Sequence, residues 1–269
     1  SAAAQETLYF SAIPDEDETR LVERFTAVAD YLSEELGVPV EFVPVKSYPA
    51  AVTAFRNDQV QLAWFGGLSG VQARLLVDGA RAIAQGDEDT SFVSYFIAHT
   101  DTGLTESEDF PEAARGMSFT FGAKTSTSGR LMPEYAIREN TGEAPEEFFD
   151  RVGFSGDHSQ TLRLVASGAW QVGALNYAVY DQAVADNAPE VETAKVIWKT
   201  PPYPDYNWTI RGDVDARWGE GFADKVQAAL VGMDDPDLLA AFPRNAFIPA
   251  ANEDYAPIEQ VARDLDLLE

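Results

Sequence analysis

The sequence contains no cysteine, and this absence excludes three kinds of chemistry at once. Disulfide bonds, thiolate metal sites and cysteine nucleophiles all need that side chain. Histidine is scarce too, because only His99 and His158 occur and the pattern His-Glu-x-x-His is missing. Two histidines without cysteine make a poor zinc site. We therefore expect neither a metal nor a cofactor.

Long apolar runs are also absent. None approaches the roughly 20 residues that a helix needs to span a bilayer, so we expect a soluble protein. The chain starts Ser-Ala-Ala-Ala-Gln-Glu, which resembles the remnant of a cleaved signal peptide or of a cloning site. A periplasmic or extracytoplasmic location, with or without a lipid anchor, is compatible with this start.

Positive charge is scarce, with 19 Lys plus Arg against 45 Asp plus Glu and a formal net charge of −26. Nucleic acids and anionic membranes are poor partners for such a surface, because both need a basic patch. Two interpretations of the acidity stay open. A salt-rich habitat would screen the repulsion, since the Debye length falls from about 10 Å at 0.1 M to about 3 Å at 1 M. A plain solubility bias is the alternative.

The apolar content is sufficient for a real core, because hydrophobic residues make up 45% of the 269 positions. Strand-like segments alternate with segments of helical spacing. The strand-like segments are 8–13, 40–45 and 60–65 in a first series, and 117–121, 151–154, 172–177 and 195–198 in a second. This alternation predicts parallel sheets flanked by helices.

The run Thr-Pro-Pro-Tyr-Pro-Asp-Tyr at 200–206 interrupts the pattern and predicts a stiff, extended crossing. We therefore predict two α/β lobes with a ligand cleft between them. The first lobe is predicted to comprise residues 1–99 and 203–269, and the second to comprise residues 100–202.

The segment 119–129, Phe-Thr-Phe-Gly-Ala-Lys-Thr-Ser-Thr-Ser-Gly, is the most informative part of the chain. It places Thr125, Ser126, Thr127 and Ser128 between a predicted strand and a predicted helix. The start of a helix presents backbone N–H groups without partners and attracts anions. One hydroxyl suffices for an N-cap, so four in succession favour an anion site over capping alone. The glycine and lysine spacing does not match a nucleotide-binding P-loop.

Further candidates follow from the rule that ligands of open α/β sheets bind beyond the carboxyl ends of the strands. The rule and the crossing segment select Tyr48, Gly67 and Tyr95 in the first lobe, His158, Asn176 and Tyr177 in the second, and Tyr203 in the crossing. His158 is either a donor to an oxyanion, with Ser159 capping the next helix, or an ordinary loop residue. Each tyrosine is either a ligand contact or packing. The glycine pair Gly66-Gly67 allows the backbone to approach a ligand closely.

Enzyme interpretations are weaker. No Ser-x-x-Lys pattern is present, and Gly-Phe-Ser-Gly-Asp at 153–157 lacks the last glycine of a nucleophile elbow. The remaining enzymatic alternative is a hydrolase or transferase that uses Ser126 or Ser128 with His158. We expect a binding protein instead, without catalytic residues.

Five segments in order resemble one family over nearly the entire chain: Tyr-Phe-Ser-Ala-Ile-Pro at 9–14, Leu-Gly-Val-Pro at 36–39, Ala-Trp-Phe-Gly-Gly at 63–67, Ser-Thr-Ser-Gly at 126–129 and Gly-Ala-Leu-Asn-Tyr at 173–177. The chain resembles the phosphate, phosphite and phosphonate group of substrate-binding proteins of ABC transporters. The runs at 64–70 and 201–208 look most like the branch labelled selenate-binding. The resemblance implies a type II periplasmic binding fold in which Ser126, Thr127 and Ser128 hold the oxyanion, with Tyr48, Tyr95 and His158 at matching positions.

One position departs from the resemblance, because phosphonate binders tend to carry aspartate where this chain has Asn176. An amide removes the repulsion between a carboxylate and a bound oxyanion, and it can donate to a bare oxygen. Asn176 therefore favours a fully ionised oxyanion over an aminoalkylphosphonate.

Together these features predict a monomeric solute-binding protein that captures a small oxyanion and delivers it to a membrane permease. The candidate ligands are phosphite, phosphonate, phosphate, selenate and selenite. The alternative within binding proteins is a larger organic phosphonate or carboxylate in a roomy, mainly apolar pocket.

Overall fold

Two β-sheets organise the chain, which a computed structural model describes over residues 5–268. Unit 1 holds the residues up to 90 together with 204–259 and 268, and unit 2 holds residues 91–203 and 260–267. The predicted signal-peptide remnant falls mainly on residues 1–4, which lie outside the described part of the chain.

The strands are short, and most of them lie where the sequence predicts them. They are β1 (Leu8–Ala12), β2 (Val40–Phe42), β3 (Leu62–Phe65), β4 (Arg81–Gly86), β5 (Ser94–His99), β6 (Ser118–Phe121), β7 (Arg151–Phe154), β8 (Val172–Asn176), β9 (Ala194–Lys199), β10 (Asn207–Ile210) and β11 (Phe247–Pro249). The strand-like segments did not include β4, β5, β10 or β11. Three of these are short or poor in β-branched residues, whereas β5 carries a strand-like Tyr-Phe-Ile run.

The helices lie between and after the strands. They are α1 (Glu18–Leu36), α2 (Tyr48–Arg56), α3 (Gly67–Leu76), α4 (Met132–Thr141), α5 (Pro145–Phe148), α6 (His158–Ala166), α7 (Tyr177–Ala185), α8 (Val214–Trp218), α9 (Phe222–Val231), α10 (Pro236–Ala241) and α11 (Ala256–Asp264). A π-helical turn, Thr127–Leu131, leads directly into α4. In α1 the apolar residues at helical spacing are buried, and Gly37 ends the helix at a φ of 69°. No helix within residues 5–268 is both long and apolar enough to cross a membrane.

The sheet of unit 1 has the order β11-β4-β10-β3-β1-β2. Strands β1, β2 and β3 run parallel, whereas β10 lies antiparallel between β3 and β4, and β11 is antiparallel to β4. The sheet is therefore mixed rather than mainly parallel, because the extended segment before Asn207 brings β10 in from the carboxyl edge. Aromatic rings fill the core beside it, and the Trp64 and Trp208 rings lie 5.3 Å apart.

The sheet of unit 2 has the order β7-β6-β8-β5-β9. Strand β6 runs parallel to β7 and β8, whereas β5 is antiparallel to both β8 and β9. Alternate residues of β5 serve opposite cores, since Phe96 packs in the Phe119 and Phe121 cluster and Tyr95 packs with Leu162 and others on the other face.

This pairing corrects the predicted lobe boundary. Strand β5, with Tyr95, belongs to unit 2 and not to the first lobe, because its hydrogen-bonded neighbours are β8 and β9. The chain passes from unit 1 to unit 2 between residues 90 and 91, and returns between residues 203 and 204. Residues 260–267 are likewise grouped with unit 2.

Candidate functional site

One edge of the unit 2 sheet collects most of the predicted site residues. The carboxyl ends of β6, β7 and β8 meet there, and the antiparallel β5 begins at the same edge. The residues at or just beyond these strand ends are the loop and turn at 122–129, the start of α6, Asn176 with Tyr177, and Ser94 with Tyr95. This is the edge at which α/β sheets bind ligands.

The hydroxyl-rich segment forms a widened helical turn at this edge. Ser126 is the N-cap, and its Oγ accepts a hydrogen bond from the backbone N–H of Gly129 at 2.9 Å. Its carbonyl oxygen accepts from the N–H groups of both Arg130 and Leu131, which gives the π-helical turn. Ser126, Thr127 and Ser128 are buried and Thr125 is half-buried. Capping uses Ser126 alone, so the predicted excess of hydroxyls is present.

Two glycines set the position of this turn against β6. The N–H of Gly122 donates to the carbonyl oxygen of Gly129 at 2.8 Å. A Cβ atom on Gly129 would lie 2.8 Å from Ser126 Oγ and 3.3 Å from the Cα of Gly122. Residue 129 therefore needs to be glycine, whereas a Cβ on Gly122 would make an ordinary van der Waals contact with the Cα of Gly129 at 3.4 Å. The contact between the two backbones holds the hydroxyls at the end of the strand.

His158 lies against this turn and is completely buried. It is the first residue of α6, and Asp157 caps the helix because its Oδ1 accepts from the N–H of Gln160 at 2.8 Å. The expectation that Ser159 is the cap was therefore wrong. The interpretation of His158 as an ordinary surface-loop residue is excluded by its burial.

The surroundings of His158 define its tautomer. The N–H of Asn176 donates to Nδ1 at 3.3 Å, and a backbone N–H can only donate, so Nδ1 carries no hydrogen. The hydrogen of the neutral ring is then on Nε2, which lies 3.4 Å from Ser128 Oγ. Because Ser128 Oγ accepts from the ring, its own hydroxyl hydrogen is directed to another acceptor. Histidine and serine thus both present donors at this edge.

Asn176 ends β8 and caps α7. Its Oδ1 accepts from the N–H groups of Ala178 at 2.7 Å and Val179 at 3.4 Å. With the oxygen held by the helix, the other end of the amide is the NH2 group, which can only donate. An aspartate could cap the helix equally well, but its second side-chain oxygen would be a negatively charged acceptor.

The tyrosines of unit 2 have different partners. The hydroxyl of Tyr95 donates to Asp181 Oδ2 at 3.1 Å, and burial together with this carboxylate raises the pKa of Tyr95. Tyr177 packs its ring 6.0 Å from that of Tyr95. Tyr203 is buried, and its hydroxyl lies 2.6 Å from Ser94 Oγ. All three tyrosines thus make contacts within unit 2, and their contact with a ligand stays a prediction.

Two predicted site residues belong to unit 1. Tyr48 is the first residue of α2, is buried, and follows the N-cap Ser47, whose Oγ accepts from Ala50. Gly67 has a role within its own unit, because its N–H donates to Asp205 Oδ1 at 3.0 Å and a Cβ there would approach Ile258 within 3.3 Å. The close approach to the backbone that was predicted for a ligand is therefore made by Asp205 and Ile258 of the same unit.

The cations near the hydroxyl-rich turn have partners within the unit. Arg130 Nε pairs with Glu134 Oε1 at 2.9 Å, and the exposed Lys124 lies with Nζ 5.3 Å from the centre of the Phe154 ring. The donors at the edge of unit 2 are therefore neutral groups: backbone amides, hydroxyls, the neutral imidazole and a carboxamide.

Sequence reasoning missed two residues of this arrangement. Ser94 is completely buried at the start of β5 and donates to the carbonyl oxygen of Ser128 at 2.7 Å. An isolated serine within an unpredicted strand gives no signal. Asp157 had a signal, because Asp followed three residues later by Gln160 is a capping pattern.

The chain is similar to known proteins over most of its length. The profile of the family described as "ABC transporter, phosphonate, periplasmic substrate-binding protein" matches residues 10–255. The probable ABC transporter phosphite binding protein PhnD1 of Prochlorococcus marinus (strain MIT 9301) is 38% identical over 266 residues, which cover 96% of this chain and 90% of the relative.

Solved structures show the same fold. PhnD1 of P. marinus in complex with methylphosphonate superimposes with a TM-score of 0.94 at 38% identity, covering 97% of this chain and 98% of that chain. A binding protein component of an ABC phosphonate transporter from Pseudomonas aeruginosa gives a TM-score of 0.84 at 22% identity, covering 96% and 85%. The predicted two-lobed α/β binding fold is confirmed, with mixed sheets. The chain belongs to the family of periplasmic substrate-binding proteins of phosphonate ABC transporters.

Proposed function

We propose that this protein captures a small phosphorus oxyanion, with methylphosphonate and phosphite as the leading candidates, for import by its ABC transporter. The observation that carries the proposal is the set of neutral donors at the edge of unit 2, centred on Ser126, Thr127 and Ser128 at the start of a helix. Hydrogen bonds to an ionised acceptor are the stronger kind, and a helix start adds its dipole. The names of the P. marinus relative and its complex support the same ligand class.

The asparagine at position 176, where phosphonate binders tend to carry aspartate, narrows the class of ligand. Since its Oδ1 caps α7, the group it presents beyond the helix is a donor and not a carboxylate. A donor suits a fully ionised phosphonate or a phosphite. A ligand amine would lose the carboxylate that could pair with it, so an aminoalkylphosphonate should bind more weakly.

Binding without turnover is part of the proposal. A Ser–His nucleophile needs an imidazole whose Nε2 can accept the serine proton. Here Nδ1 of His158 faces the N–H of Asn176, so Nε2 carries the hydrogen and donates toward Ser128. This is the tautomer of a donor to an oxyanion and not of a general base, which argues against the hydrolase alternative.

The remaining predictions extend this proposal. The family's transport role implies that the protein delivers its ligand to a membrane permease. A periplasmic protein could make this delivery either free or tethered by a lipid. A monomer is the expected form. The parts of Tyr48, Tyr95, Tyr177 and Tyr203 in binding stay predictions, and Gly67 is left out because its amide is held by Asp205. Selenate and selenite stay in the ligand panel on the resemblance of two aromatic runs.

Two measurements test the proposal. Native mass spectrometry of protein purified without added ligand should detect any retained anion by its mass. Isothermal titration calorimetry with methylphosphonate, phosphite, phosphate, selenate, selenite, sulfate and an aminoalkylphosphonate should then rank the ligands. We expect methylphosphonate or phosphite to bind most tightly. Binding of none of the phosphorus oxyanions would overturn the proposal, and tightest binding of selenate would support the selenate branch.

A further inference from the structure

The carbonyl oxygen of Ser128 lacks the intrahelical hydrogen bond that its turn would normally supply. In this π-helical turn the N–H of Leu131 donates to the carbonyl of Ser126, and that of Met132 donates to the carbonyl of Thr127. The next donor in this i+5 pattern would be residue 133, which is Pro133 and has no N–H. A buried carbonyl in this position needs a donor from outside the helix.

Ser94 supplies that donor. Its side chain is completely buried, and its Oγ donates to the Ser128 carbonyl oxygen at 2.7 Å. Because the Ser94 hydrogen is used for this bond, the contact of 2.6 Å between Ser94 Oγ and the Tyr203 hydroxyl must have Tyr203 as the donor. The result is a directed chain from Tyr203 through Ser94 to Ser128.

Further hydrogen bonds hold both Ser94 and Tyr203 in place. The N–H of Ser94 donates to Thr200 Oγ1 at 3.0 Å, and the N–H of Thr200 donates to the Ser94 carbonyl at 3.1 Å. Tyr203 exchanges two backbone hydrogen bonds with Phe92, at 2.8 and 2.9 Å. Tyr203 is also the last residue before the chain passes into unit 1.

We propose that Ser94 and Tyr203 are positioning residues for the oxyanion site, replacing the amide that Pro133 lacks and holding the Ser126–Gly129 turn in its ligand-binding form. They act through the backbone of Ser128, whose side chain meets His158. Tyr203 therefore acts through the main chain of the turn. Its hydrogen bond to Ser94 connects the turn to the point at which the polypeptide passes from unit 2 to unit 1. The affinity part of this inference rests on the proposed function.

The first experiment needs no ligand. Amide hydrogen exchange of the intact protein should show faster exchange of the turn amides 129–131 in Ser94→Ala and in Tyr203→Phe than in the wild type. Tyr180→Phe is the matched control, because the Tyr180 hydroxyl is also buried in unit 2 and donates to a main-chain carbonyl, that of Ala194 at 2.8 Å. Its loss should leave residues 129–131 unchanged.

The second experiment is a double-mutant cycle read by calorimetry with methylphosphonate. One buried hydrogen bond corresponds to about threefold to tenfold in affinity, so we expect about tenfold weaker binding for Ser94→Ala and about threefold for Tyr203→Phe. Because Tyr203 acts through Ser94, the double variant should also lose about tenfold and not the roughly thirtyfold of independent effects. Tyr180→Phe should bind like the wild type.

The outcomes separate the two proposals. If the wild type binds methylphosphonate but Ser94→Ala and Tyr203→Phe change neither exchange nor affinity, the positioning role is overturned and the proposed function stands. Additive losses in the cycle would also overturn the chain through Ser94. If the wild type binds no phosphorus oxyanion, the proposed function fails, while the exchange rates of residues 129–131 still decide whether Ser94 and Tyr203 hold the turn.

Discussion

The carboxyl edges of the two sheets are built from opposite kinds of group. At the carboxyl edge of the unit 1 sheet, Asp15, Asp89 and Asp205 are buried carboxylates, and Asp89 is paired with the buried Arg244 at 2.8 Å. At the corresponding edge of unit 2 the buried groups are hydroxyls, amides and a neutral imidazole. The first edge is charged and the second is neutral.

The difference shows how a protein with a net charge of −26 can hold an anion. A buried ion needs a permanent partner, and each carboxylate of unit 1 has one in its own unit: Asp89 pairs with Arg244, Asp15 accepts from the Tyr206 hydroxyl and Asp205 accepts from the N–H of Gly67. Neutral donors carry no such obligation when no ligand is present, because water can satisfy them. They gain most when a charged acceptor arrives. Anion capture is therefore expected at the neutral edge.

Breaking the charged edge should have the largest effect. Arg244→Met leaves Asp89 buried without its cation, and we expect the free energy of unfolding to fall by about 3–5 kcal/mol. Burial raises the pKa of Asp89, and Arg244 opposes that rise, so removing the arginine leaves burial unopposed. Chemical denaturation measures the change. Arg81→Met breaks the exposed pair with Asp224 and should cost less than about 1 kcal/mol. Equal effects of the two substitutions would contradict the buried-pair interpretation.

A second test concerns Asp15, whose pKa burial raises to about 7, with Glu16 adding to the rise and Arg24 opposing it. The Tyr206 hydroxyl donates to Asp15 Oδ2 at 2.6 Å. Between pH 4 and 7 the folded state holds the Asp15 proton while the unfolded state loses it, so stability falls as pH rises through this window. The span is at most about 4 kcal/mol.

Asp15→Asn removes this titration. Thermal melting between pH 4 and 8 should show a flatter dependence in the variant than in the wild type. Asp237→Asn, at an exposed position in α10, controls for the loss of one charge and should keep the wild-type slope. The same slope in Asp15→Asn and the wild type would show that Asp15 does not titrate in this range.

The neutral edge is tested by removing one donor. Ser128→Ala deletes a hydroxyl that we propose donates to the ligand, and a hydrogen bond to a charged acceptor corresponds to about tenfold to hundredfold in affinity. Calorimetry with methylphosphonate measures the loss. Ser118→Ala removes a serine at the other end of β6, where Oγ accepts from the N–H of Gln171, and should bind like the wild type. Unchanged affinity in Ser128→Ala would place the ligand elsewhere.

The smallest effect is expected from making the neutral edge resemble the charged one. Asn176→Asp keeps the cap of α7 but adds a carboxylate, so methylphosphonate should bind about tenfold more weakly at pH 8 and recover as pH falls to 5. Calorimetry at both pH values tests this. Asn187→Asp adds the same charge at an exposed site of unit 2 and should have little effect. Equal losses in both variants would mean that net charge, not Asn176, sets the affinity.

Only part of the difference between the two edges could be predicted from the sequence. Local signals were sufficient for α1, with its apolar spacing and Gly37, and for the hydroxyl-rich turn after β6. The assignment of β5 to the second sheet depends on pairing with β8 and β9, which are far away in the sequence. No local pattern carries that information.

The same limit applies to single side chains. Ser94 gains its role because Pro133 lacks an N–H and because β5 starts beside Ser128, so two distant segments must be known together. The tautomer of His158 likewise depends on the N–H of Asn176 in another strand. Hydroxyl content could be read from the sequence, whereas the direction of each hydrogen bond required the fold.

The most direct test is the structure of the protein crystallised with methylphosphonate. We predict that the phosphonate oxygens lie within hydrogen-bond distance of the Thr127 and Ser128 donors and of His158 Nε2. A well-ordered methylphosphonate bound elsewhere, with these donors in contact only with water, would contradict the assignment of anion capture to the neutral edge of unit 2.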